Sequence, residues 1–305
     1  MPDNLEETMQ LDQRPSSSAP QHGSVGPRRS KRVSLAFIAV PVIVAIVVGL
    51  TIKGQGSSPT GLSAAVLSPS VSAPKAIPKG WKLTFNASFA GTKLNTKIWS
   101  TCYYWASDGG CTNNPNLEYE WYLPSQATVS DGALHLVAQR TPTKGIASNG
   151  TPKTYSCRSG MVTTAPSFNF KYGVVQITAH IPYNTGLWPA LWLASTNHQL
   201  PAEIDILEHW HTDSFVDVFL HPLGADQIGG PVTTPKNLSA GWHTFRLYWT
   251  KNLLIWYIDG VQVYSVTTDV PQLDMYLIAN LADDRNGPTS CTGTMMIKSV
   301  QVWQP

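Results

Sequence analysis

Beyond about residue 80 the chain predicts an all-β fold, a β-sandwich or jelly roll, on three observations. Its apolar residues recur as short β-branched and aromatic alternations, Gly, Pro and Asn separate them at regular intervals, and no long amphipathic helix is present.

Along the chain, Ala133–Gln139 alternates around Leu134 and Leu136, and Gly173–Ile181 around Val175 and Ile177. Phe215–Leu220 interleaves Val216 and Val218 with Asp217. Trp242–Trp249, Leu253–Ile258 and Val261–Val266 follow closely, and Asp259-Gly260 between the last two is a strong two-residue hairpin signal. Met275–Asn280 and Met295–Trp303 complete the expected strands. No internal repeat is evident.

One run stands apart: Glu203-Ile204-Asp205-Ile206-Leu207-Glu208. Its β-branched residues read as a strand, yet it carries three carboxylates whose mutual repulsion and desolvation are costly. Such a cost points to chemistry. Side chains alternate along a strand, so Glu203 and Asp205 share a face while Glu208 points away. One extra residue at Ile206-Leu207, a β-bulge, returns Glu208 to that face. The outer glutamates then lie four strand steps apart, roughly 13 Å between Cα atoms at ~3.3 Å per residue. Two glutamates leaning together can close to the ~5–5.5 Å that retaining glycoside hydrolysis requires. A solvated acidic edge strand is the plain alternative, and Ile204, Ile206 and Leu207 make it a poor one.

Composition divides the 305 residues. Residues 1–32 are polar and Pro/Ser/Gln-rich, a disordered cytoplasmic tail. Arg28, Arg29, Lys31 and Arg32 precede the uncharged stretch Val33–Ile52, long enough to cross a bilayer. The basic flank orients it as a signal-anchor with the remainder outside the cell membrane. A cleaved signal peptide, giving a secreted protein, is the competing reading. Residues 53–79 have linker composition, and 80–305, which hold every Trp and Tyr, have the length of one β-sandwich domain, the one that carries the acidic run. The net charge of +2 hides an asymmetry: residues 1–79 hold eight Lys/Arg and four acids, which leaves 21 − 8 = 13 and 19 − 4 = 15 beyond them. A slightly acidic domain lacks the footprint of a nucleic-acid binder, so no nucleic acid is expected and a neutral polymer suits it better.

All four cysteines, Cys102, Cys111, Cys157 and Cys291, follow the apolar segment, where disulfides persist. Three connectivities exist; the local pair Cys102–Cys111 is preferred, leaving Cys157–Cys291. No Cys-x-x-Cys spacing suggests zinc. Glu208-His209-Trp210-His211 tempts a metal reading, but a third ligand is missing and no metal site is expected there.

The acidic run resembles the signature of the family-16 glycoside hydrolases in its bulged, laminarinase-like form. Gly186-Leu187-Trp188-Pro189-Ala190-Leu191-Trp192 resembles the stretch before that family's catalytic strand. Asn116-Leu117-Glu118-Tyr119-Glu120-Trp121-Tyr122 is similar to its Asn-x-Glu-x-Gln-x-Tyr element, with Glu120 in the glutamine place. Asn280-Leu281-Ala282 also matches, but Asp283-Asp284 stand where laminarinases continue Val-Gly-Gly. The resemblance covers about Trp81 to Gln304.

It implies a two-sheet jelly roll, a β-sandwich whose concave sheet forms an open polysaccharide cleft, with Glu203 as nucleophile, Glu208 as general acid/base and Asp205 between them. It also implies Trp188, Trp192, Trp210, Asn116, Glu118 and Asn280 as substrate contacts, and His221 as a neighbour of the acid/base or the substrate. The expected protein is therefore a monomeric endo-glycosidase, membrane-tethered or secreted, acting with retention on a neutral polysaccharide, β-1,3- or mixed β-1,3/1,4-glucan. It needs no redox or organic cofactor, and a structural Ca²⁺ remains compatible with the sequence. A glucan-remodelling transglycosylase and a non-catalytic carbohydrate-binding jelly roll are the rivals.

Overall fold

Two antiparallel sheets, one of eight strands and one of six, enclose the main apolar core. The computed structural model describes residues 76–104, 111–112, 118–147, 149–183, 186–197, 202–209, 215–234, 237–284 and 291–305, all within one compact unit. The expected tail, the apolar segment and the linker as far as residue 75 lie outside the described residues. Among the described residues no helix is long and apolar enough to cross a membrane.

The larger sheet runs, edge to edge, Val261–Val266, Leu253–Ile258, His243–Thr250, Gly173–His180, Gly293–Gln304, Ala133–Ala138 and Ala127–Ser130; Lys82–Ala87 also pairs with Gly293–Gln304. The smaller runs Ile228–Thr233, Phe215–His221, Glu203–Glu208, Leu187–Ser195, Met275–Asp283 and Met161–Thr163. Every strand expected from alternation is present within a few residues of its expected ends. At Asp259-Gly260 both residues have positive φ, 49° and 78°, as a tight hairpin demands.

Alternation sorts the residues between faces. From the larger sheet Val175, Ile177, Leu247 and Trp256 point inward; from the smaller, Leu191, Leu193, Ile204, Val218, Leu220 and Leu277 meet them. Trp249 and Trp256 are core, whereas Trp303 is half-buried. Both disulfides are the expected pairs, Cys102–Cys111 and Cys157–Cys291.

Leu187–Ser195 is a central strand containing a proline, which normally costs a ladder bond. Pro189 faces Leu281, whose N–H donates instead to Gly160 O and whose carbonyl accepts from the Ser159 hydroxyl. The proline carbonyl accepts from His209 N–H. Its missing donor is therefore not missed.

Candidate active site

The smaller sheet turns its second face away from the core, and the site is built there. Glu203, Ile204 and Asp205 pair with Ala194, Leu193 and Trp192; after a register shift Leu207 and Glu208 pair with Leu191 and Ala190. Ile206 has no opposite number. On the other edge Asp205 pairs with Phe219 and Glu208 with Asp217, so Ile206 and Leu207 together oppose Val218. This is the bulge expected at Ile206-Leu207, and it brings Glu203, Asp205 and Glu208 to one face.

Physical causes for it are at hand. Ile206 and Leu207 are both buried in the core, each stabilising by about 1.5–3 kcal/mol; a regular strand would drive one of them out and Glu208 in. From the opposite sheet Trp256 Nε1 donates to Asp205 O at 2.8 Å, satisfying a carbonyl beside the irregularity.

Around the carboxylates the face is polar and densely bonded. Trp188 Nε1 donates to Glu208 Oε1 at 2.9 Å, and Trp192 Nε1 to Asn280 Oδ1 at 2.8 Å. Asn280 Nδ2 donates onward to the Tyr122 hydroxyl at 3.1 Å. His221 Nε2 lies 3.1 Å from Asp205 Oδ2 and 3.7 Å from Glu203 Oε1. Of the two expected neighbours of His221, the acid/base or the substrate, the first is corrected: the carboxylates it meets are those of Asp205 and Glu203. Antiparallel register sets this: His221 is directly across from Glu203, while Glu208 faces Asp217.

Glu118 is buried beside this face, where its donor Tyr103 packs against Trp192. It accepts a 2.7 Å hydrogen bond from the Tyr103 hydroxyl, and Glu120 beside it accepts one of 2.7 Å from Asp283 N–H. Asn116 and Trp210 lie outside the described residues. His209 is buried beside Tyr183. Asp217 and Trp256 went unrecognised as site residues in the sequence. The alternation placing Asp217, Phe219 and His221 on one face was the available signal for Asp217; Trp256 offered none, because its contact crosses the sandwich.

Charge is distributed unevenly. Burial, then the charges of Asp205 and Glu203, hold the Glu208 carboxyl well above the usual carboxylate range; Asp217 adds to this and the Trp188 N–H opposes it. Burial, then Asp205, pushes Glu203 upward as well. Its side chain is nevertheless 39% exposed, so water relieves part of that penalty. Asp205 is raised by burial against the lowering influence of His221.

The sequence profile of Glycosyl hydrolases family 16 matches residues 118–284. The chain belongs to that family. Among curated relatives, an endo-1,3-1,4-β-glycanase of Rhizobium meliloti is 29% identical over 217 residues, 65% of this chain and 45% of the relative. A glucan endo-1,3-β-glucosidase A1 of Niallia circulans is 27% identical over 261 residues, 74% and 38% respectively. The chain spans less than half the length of these two relatives. Among solved structures, the catalytic domain of an endo-1,3-β-glucanase (laminarinase) from Thermotoga petrophila is alike with a TM-score of 0.64 at 26% identity, covering 73% of this chain and 98% of that one. The family-16 jelly-roll architecture is therefore the fold of this chain.

Proposed function

We propose that this family-16 protein is a retaining endo-glycosidase that hydrolyses β-1,3- or mixed β-1,3/1,4-glucan. The observation that carries the reading is the bulge, which sets two glutamates on one face four strand steps apart with an aspartate between them. The names of the relatives supply the substrate class.

Glu203, the more solvated carboxylate, attacks the anomeric carbon. Glu208, buried among like charges, keeps its proton against the opposing Trp188 N–H and gives it to the leaving glycosidic oxygen. A glycosyl-enzyme ester on Glu203 results. Glu208, now ionised, takes a proton from water, and the resulting attack releases the sugar with its original anomeric configuration. Asp205 shares a proton with Glu203 between these states, so the three carboxyls titrate as a set. Trp188 and Trp192 offer flat faces to the apolar sides of the sugar rings, and Asn280 a polar edge.

The two disulfides suit an oxidising compartment outside the cytoplasm. Tethering through Val33–Ile52, with action as a monomer, belongs to the same proposal.

Proton NMR of products from a soluble β-1,3-glucan tests the reading: the first-formed reducing ends should be β. First-formed α-ends, or no new ends on any β-glucan, would remove it.

A further inference from the structure

We propose that Glu203, Asp205 and His221 form a reversible binding site for one divalent transition-metal ion of the Zn²⁺ class. A ligand atom from each residue converges so that all three lie within 4.8 Å of one another. The His221 Nε2 contacts, 3.1 Å to Asp205 and 3.7 Å to Glu203, bracket the edge of a tetrahedral shell; bonds of about 2.0–2.1 Å give an edge of about 3.3 Å.

A second observation points the same way. Asp205 Oδ2 is buried and lies 3.1 Å from His221 Nε2, and its carboxyl interacts with Glu203 as well. It is a buried acceptor aimed into the cluster, and its partners there are the other two ligands of the set. Its backbone is held from behind by the Trp256 bond, so this ligand is fixed before any ion arrives.

The donor set selects the ion. Ca²⁺ and Mg²⁺ take oxygen ligands, whereas an imidazole beside two carboxylates suits Zn²⁺, Co²⁺ or Cu²⁺. Three protein ligands leave a position for water, and the side chains of Glu203 and His221 are 39% and 38% exposed, so the ion can enter. An ion held here occupies the Glu203 carboxylate, so metal and sugar exclude each other. That exclusion rests on the glycosidase reading; the binding itself does not.

The test is calorimetric titration of the full chain with Zn²⁺ near neutral pH, confirmed by visible absorption of Co²⁺. One ion should bind per wild-type chain, and His221→Gln and Asp205→Asn should each weaken binding at least about tenfold. Asp217→Asn, an acid on the same face outside the set, should bind as the wild type does. His221 is partly exposed, so His221→Gln should fold even if Asp205→Asn does not; circular dichroism verifies this. No Zn²⁺ binding up to millimolar concentration, or equal binding by wild type and His221→Gln, overturns the site. Normal metal binding by a chain that cleaves no glucan would instead defeat the glycosidase reading and leave the site standing.

Discussion

Trp256 and Asp205 meet across the core: the indole nitrogen of one sheet donates, at 2.8 Å, to the main-chain carbonyl of the other. That carbonyl stands immediately before the residue that breaks the ladder. The fold and the site are therefore joined at one hydrogen bond, since the same contact that ties the two sheets together steadies the strand bearing the carboxylates.

Trp256→Phe keeps an aromatic ring in the core and removes the donor. Leaving a buried carbonyl unsatisfied costs about 1–3 kcal/mol. Denaturant unfolding should show that loss, and kcat should fall several-fold while KM stays near wild type, because the carboxylates lose alignment. An unchanged kcat would mean that the bulge holds itself.

Asp217→Asn removes a negative charge directly opposite Glu208. Like charge favours the protonated acid, so neutralising Asp217 lets Glu208 ionise at lower pH. The basic limb of the kcat/KM profile should move toward acid. A limb that stays in place, or moves the other way, contradicts the assignment of Glu208 as the acid.

Two departures from the family pattern, Glu120 and Asp283, turn out to be neighbours, joined by the Asp283 N–H. Burial, then the Glu120 charge, raises the Asp283 carboxyl from 3.8 to about 7. The folded state therefore holds a proton that the unfolded chain releases. This contribution to stability is fully present below pH 3.8 and is lost as pH rises to about 7. Thermal unfolding across that window should show a decline that is shallower in Asp283→Asn. Identical slopes would place the proton elsewhere.

Much of this was legible in the sequence, for reasons that differ by element. The bulge at Ile206-Leu207 was legible through the carboxylates, because one extra residue there is what returns Glu208 to the face of Glu203 and Asp205. Asp259-Gly260 announced its hairpin through backbone freedom alone. Leu187–Ser195 was concealed by Pro189, whose missing donor to Leu281 O is replaced by the Ser159 hydroxyl. The partners of His221 were not readable either: they depend on register between strands, and a shift of two residues would have set the imidazole in the neighbouring row.

Cys157 and Cys291 are buried and close a loop 134 residues apart in sequence. Replacing both by Ala should cost roughly 2–5 kcal/mol, read as a lower thermal midpoint with a normal circular dichroism spectrum at low temperature. An unchanged midpoint would show that the sheets hold without the link.

The assignment of Glu203 as nucleophile and Glu208 as proton donor is tested most directly by trapping. A β-glucoside bearing fluorine at C2 and a good leaving group should inactivate the protein, and peptide mass mapping should place one added glycosyl mass on Glu203. A label on Glu208 or Asp205, or hydrolysis with no covalent species, would contradict the account.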